Sequence, residues 1–111
     1  MRFPDADRAI VPEEKLREYL LNLGHPVGGP KAAWFASIGY TLDNLRNLAD
    51  DLLEVARNGD AFVAKRSPFG VEYEVTGQIG RPGHRPAAVV TVWIVEGSGP
   101  PRLVTAYPGS R

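Results

Sequence analysis

Val71-Glu72-Tyr73-Glu74-Val75-Thr76 is the stretch that decides the fold class. Valine and tyrosine occupy the odd positions while glutamate and threonine occupy the even ones, the period of a strand with one dry face and one wet face. Immediately upstream the period is different. Leu42, Leu45, Leu48, Ala49, Leu52, Leu53 and Ala56 recur at three- and four-residue spacing, one face of an amphipathic helix. Thr41 is suited to its N-cap and Asn58-Gly59-Asp60 to its end. The switch from helical to two-residue periodicity near residue 60 predicts an α+β domain, with helices first and an antiparallel sheet after.

Working outward, Ala61–Arg66 reads as a first short strand, joined to 71–76 by a hairpin turn at Pro68-Phe69-Gly70. Val89–Val95 is apolar at nearly every position, which predicts a central strand covered on both faces. Leu103–Tyr107 completes four strands and Pro108 stops it. Toward the N-terminus, Pro12 followed by Glu13 and Glu14 opens a helix, since proline suits the first turn and carboxylates complement the dipole. Leu16, Tyr19, Leu20 and Leu23 form its apolar face and Gly24 its end. A short helical turn follows at Ala32–Ala36. The expectation is a single domain over residues 1–111: a loose lead-in (1–9), a helical part with two long helices and one short (10–60), and the sheet (61–108).

The 111 residues carry 13 Lys/Arg against 13 Asp/Glu, a balance that excludes a protein coating nucleic acid by bulk charge. The charges are unevenly placed, however. Residues 1–60 are net negative by three and residues 61–111 net positive by three, the basic part holding the loop with Arg81, His84 and Arg85. The absence of cysteine excludes thiol catalysis and cysteine-based zinc sites. No apolar run approaches the ~18 residues of a membrane span and no leader precedes the domain, so a soluble, cytoplasmic protein is expected.

Between the first two helical patterns lies His25-Pro26-Val27-Gly28-Gly29-Pro30-Lys31, a loop whose prolines and glycines impose an unusual backbone path. It places an imidazole near a permanent cation. Other motifs fail. Gly28-Gly29-Pro30-Lys31 lacks the spacing and the Ser/Thr of a P-loop, and Gly77, Gly80 and Gly83 do not form a dinucleotide fingerprint. None of the four serines sits in a nucleophile elbow. His25 and His84 make no helical metal pair, and Glu72 with Glu74 reads as a solvated strand face. No metal and no cofactor are expected. RNA cleavage needs neither, because the 2′-hydroxyl is the nucleophile and the protein supplies proton transfer and groups for the phosphorane oxygens.

Several short motifs occur in order: Lys15-Leu16-x-x-Tyr19-Leu20-Leu21, His25-Pro26 with Gly28, Lys31-Ala32 and Phe35 before Gly39, Val92-Trp93-Ile94, and Leu103-Val104-Thr105-Ala106-Tyr107-Pro108. From about Ile10 to Pro108 the chain resembles a family of small uncharacterised bacterial domains that occur alone or at the ends of larger proteins. That family is in turn similar to the barnase–EndoU–colicin–RelE (BECR) group of ribonuclease toxins, in which N-terminal helices precede a four-stranded antiparallel sheet. The resemblance implies a metal-independent ribonuclease of bacterial toxin type, held in check by a neutralising protein partner. It puts His25 or Lys31 at the helix-side catalytic position and Thr105 and Tyr107 at the strand-side positions that touch the scissile phosphate. Thr105 and Tyr107, two residues apart, emerge on one strand face. Trp93 would offer a base-stacking surface, and Arg81, His84 and Arg85 would approach the RNA backbone. The departures are a missing assignable glutamate base and the lack of a strongly basic surface. The rival reading is a non-catalytic module that binds a protein partner through its sheet face or an edge strand.

Overall fold

The computed structural model describes residues 1–109. Three helices, α1 (Glu13–Lys15), α2 (Gly29–Ser37) and α3 (Leu45–Asn58), precede β1 (Asp60–Ser67), β2 (Gly70–Ile79), β3 (Ala87–Val95) and β4 (Arg102–Pro108). The strands form one antiparallel meander in the order β1-β2-β3-β4, the α+β arrangement that the change of period predicts.

Register explains how the sheet divides wet from dry. Ala61, Val75, Thr91 and Ala106 form one row across all four strands, and each is 2% exposed or less. They face Leu48, Leu52 and Val55 of α3 within the core. The neighbouring row, Phe62, Glu74, Val92 and Thr105, alternates onto the opposite face. Thr91 is the one buried polar residue among those described. Its hydroxyl donates to the Val75 carbonyl at 2.7 Å and accepts the Trp93 indole N–H at 2.7 Å, so neither polar group is orphaned.

Four expectations need correction. β3 is not covered on both faces: Val90 and Ile94 stay half-buried, in rows with Thr76 and Glu72 on the wet side of the sheet. The first helix is not long: α1 makes one turn and passes into a π-helical turn at Leu16–Leu20, with the Leu21 N–H donating to the Leu16 carbonyl at 2.8 Å. That i→i+5 bond widens the turn. Leu16, Leu20 and Leu21 thereby become the buried face, while Leu23 stays 68% exposed.

The lead-in is not loose either. Phe3 is 4% exposed and packs on Tyr73 and Trp93, with ring centroids 5.1 and 5.8 Å away. The Met1 carbonyl accepts the Ala61 N–H, and Ile10 makes a parallel bridge to Arg102 of β4. Finally, the helix after Thr41 begins as a 3₁₀ turn at Leu42–Asn44, which leaves Leu42 46% exposed and brings Val55 into the buried stripe instead. The Asn44 side chain secures this start by accepting the Thr41 N–H at 2.9 Å.

Candidate functional site

Lys31 stands in the first turn of α2, after Pro30. Its ammonium donates to the Tyr19 phenol oxygen at 2.8 Å and to Thr105 Oγ1 at 3.0 Å. The three residues come from the π-helical turn, α2 and β4, and all are half-buried. Among the described residues no carboxylate pairs with Lys31. The Tyr19 ring lies under two ammonium groups, Lys31 at 5.0 Å and Lys15 at 5.5 Å from its centroid. The hydrogen bond from Lys31 holds the Tyr19 phenol below its ordinary pKa, with partial burial opposing.

The loop before α2 is clamped onto Tyr19. A Cβ on Gly28 would lie 2.5 Å from the Tyr19 carbonyl oxygen and 2.9 Å from its ring, so only glycine fits. The reason is close approach rather than a left-handed backbone, since Gly28 has φ −81°. His25 packs edge-on against the Tyr19 ring at 5.0 Å. Its Nδ1 accepts the backbone N–H groups of Val27 at 3.0 Å and Gly28 at 2.9 Å. In that arrangement Nδ1 carries no proton, and the neutral ring holds its proton on Nε2. The imidazole therefore caps a turn and presents a donor. Of general base and general acid, the two proton-transfer roles open to a histidine, a base working through Nε2 would need the other tautomer, which would aim N–H at N–H.

Thr105 and Tyr107 lie in adjacent rows of the open sheet face. Thr105 follows Phe62, Glu74 and Val92, and Tyr107 follows Asp60, Thr76 and Val90. Burial, and then the charge of Glu74, push the Tyr107 phenol above its ordinary pKa. Glu74, on the wet face of its strand, stands across Val92 from Thr105 in the register. Phe62, 49% exposed, is its neighbour on β1.

The remaining candidates fall elsewhere. Trp93 is 0% exposed with its indole N–H bound to Thr91, so it offers no face for a base. Arg81 is held at the far end of α2: its N–H donates to the Ile38 carbonyl and its guanidinium lies 3.6 Å from Asp51. Asp51 also accepts the Tyr40 hydroxyl, and burial with that bond drives the Tyr40 phenol well above the ordinary range. His84 and Arg85 are exposed on the same loop. His84 lies against Gly39, whose φ of +101° and nearby Arg81 and His84 atoms leave no room for a side chain. None of these three joins Lys31.

Residues 2–110 match the family described as a domain of unknown function, DUF6883. The chain belongs to that family. No curated protein matches it in sequence. Among solved structures this DUF6883 domain is similar to a chain of a contact-dependent growth inhibition toxin–immunity protein complex from Klebsiella pneumoniae 342. The TM-score is 0.72 at 12% identity, over 90% of this chain and 99% of that one. At that identity the likeness is one of fold.

Sequence reasoning missed Tyr19 and Glu74. Tyr19 sits at a core-facing position of a regular helix pattern, and only the π turn swings it toward Lys31. Glu74 is visible as the wet face of its strand, but its place in one row with Thr105 depends on a register between three strands.

Proposed function

We propose that this DUF6883 domain is a toxin-like, metal-independent ribonuclease that works on the open face of its sheet. The observation that carries this reading is the Lys31 ammonium, half-buried, with no carboxylate partner among the described residues and anchored by Tyr19 and Thr105 at 2.8 and 3.0 Å. An ammonium held by neutral oxygens keeps its charge available for an anion, and a phosphodiester is the anion that an adjoining open strand face accommodates. A phosphate over Val92 would meet Thr105 and Lys31 on one side and Glu74 on the other.

In the reaction the RNA 2′-oxygen bonds to phosphorus and the bond from phosphorus to the 5′-oxygen breaks. Glu74 accepts the 2′-hydroxyl proton and afterwards releases it to water, and Lys31 with Thr105 binds the phosphorane oxygens. The Tyr107 phenol, kept protonated by its surroundings, gives its proton to the departing 5′-oxygen and regains one from water. The products are a 2′,3′-cyclic phosphate and a 5′-hydroxyl. The His25 ring packs edge-on against Tyr19 as a positioning group, and Tyr19 orients the Lys31 ammonium.

The fold shared with a chain of a toxin–immunity complex supports a toxin-like reading and is consistent with a protein partner. Expression in bacteria tests it. The wild-type chain should arrest growth, and Lys31→Ala, produced at the same level, should not. Equal growth of the two cultures would remove the enzyme and leave a binding module.

A further inference from the structure

Beyond the phosphate site, the open sheet face holds a cavity of about 350 Å³ lined by Thr76 and Gln78 of β2, Ala88 and Val90 of β3, and Gly109. We propose that this cavity is a nucleobase subsite, with the Gln78 amide reading the base edge. The inference rests on the phosphodiester reading above and extends it to the part of the nucleotide that confers sequence preference.

Position supports the assignment first. Thr76 and Val90 share a row with Tyr107, and Gln78 pairs with Ala88 in the next row on the same face. Successive rows on one face are ~7 Å apart, so the cavity opens about one ribose beyond the Thr105 row. Its shape comes from small residues. Gly109 donates its N–H to the Ala88 carbonyl at 2.9 Å, and a Cβ on Gly109 would lie 3.2 Å from the Ala88 methyl. Glycine and alanine together leave a flat floor, with Val90 as an apolar wall.

The polar equipment is sparse and directional, as ligand pockets require. Gln78 is exposed, and its amide offers a donor and an acceptor side by side. That is the pairing a glutamine makes with the N6–N7 edge of adenine, and it is uncharged, so it suits a base and not a second phosphate. Thr76 adds a hydroxyl that donates or accepts. The Tyr107 phenol borders the same row, between the cavity and Thr105.

The test is an NMR titration of the wild-type chain with the four nucleoside 3′-monophosphates and, as a probe without a base, ribose 5-phosphate. All five should shift the amides around Lys31 and Thr105. Only the nucleotides should shift Thr76, Gln78, Ala88 and Val90, and adenosine 3′-monophosphate should bind about tenfold more tightly than the weakest base, the discrimination of one amide pairing. Gln78→Ala should abolish the preference and leave the ribose 5-phosphate response unchanged. Ala88→Leu, which fills the floor, should remove the base-dependent shifts. Equal affinity for all five probes with no shift in the cavity would overturn the subsite while leaving the phosphate site standing. Shifts confined to the cavity would support the base subsite and overturn the phosphate reading on which catalysis depends.

Discussion

Replacing Lys31 by methionine removes one charge and keeps most of the side chain's volume, and its consequences follow from two distances. The ammonium sits 2.8 Å from the Tyr19 oxygen and 3.0 Å from Thr105 Oγ1. Each such bond at a half-buried site contributes about 1 kcal/mol to folding, offset by the desolvation the ammonium no longer suffers, so the variant should fold with nearly unchanged stability. The effect on chemistry is far larger. An ammonium ~4 Å from a phosphate charge is worth about 4 kcal/mol at an effective dielectric of ~20. Loss of one preorganised donor to a developing oxyanion costs ~10²–10³ in rate. Lys31→Met should therefore lower RNA cleavage by about two to three orders of magnitude.

A second readout needs no substrate. The hydrogen bond from Lys31 is the largest influence lowering the Tyr19 pKa, so in Lys31→Met the Tyr19 phenol should ionise at higher pH than in the wild type, measured by NMR titration of its ring. Unaltered Tyr19 ionisation together with unaltered cleavage would refute the reasoning, because the ammonium would then touch neither the phenol nor the phosphate.

Further outcomes are expected. His25→Asn, whose side-chain oxygen can cap the same turn as Nδ1, should retain cleavage within a few-fold, whereas His25→Ala should lose about 1 kcal/mol of stability in chemical denaturation. Complete loss of cleavage in a folded His25→Asn protein would return a chemical role to the imidazole. Thr91→Val strips the Trp93 indole N–H and the Val75 carbonyl of their buried partner and should cost ~1–3 kcal/mol, visible as a lower melting temperature.

The pH dependence of folding should report Tyr40. Its folded pKa lies above the unfolded value of 10.0, so its contribution is complete below that pH and is lost as pH rises toward the higher folded value. Tyr40→Phe should flatten this alkaline loss, and an unchanged profile would mean that neither burial nor the Asp51 bond holds the phenol protonated. Phe3→Ala should cost about 3 kcal/mol in denaturant unfolding, the penalty of emptying a buried aromatic site.

Elements built on one period were legible in the sequence. The α3 stripe, the alternation of Val71–Thr76 and the apolar run of β3 each satisfy a single local rule, and the structure has those elements in that order. Departures occur where tertiary packing changes a local rule. Leu16–Leu21 keeps its leucines buried by widening into a π turn, and an i, i+3, i+4 template has no place for that. Phe3 lies among charges and a proline, so no periodicity marks it, although the Tyr73 and Trp93 rings make it part of the core.

The candidate site was half visible. Lys31, Thr105 and Tyr107 stand out by residue type, and Lys31 meets Thr105 across 74 residues of chain. The positions of Glu74 and Tyr19 beside Lys31 and Thr105 were hidden because they depend on strand register and on that same π turn. Trp93 misled for a plain reason: on a central strand its side chain takes one of two faces, and it takes the dry one.

The most direct measurement is the fate of single-stranded RNA incubated with the purified chain in excess chelator, with the product ends analysed chemically. Wild-type protein should yield fragments ending in 2′,3′-cyclic phosphate and 5′-hydroxyl groups, and Glu74→Gln and Lys31→Met should each leave the RNA largely uncut. Intact RNA with folded wild-type protein, or cleavage indifferent to both substitutions, would contradict a catalytic sheet face.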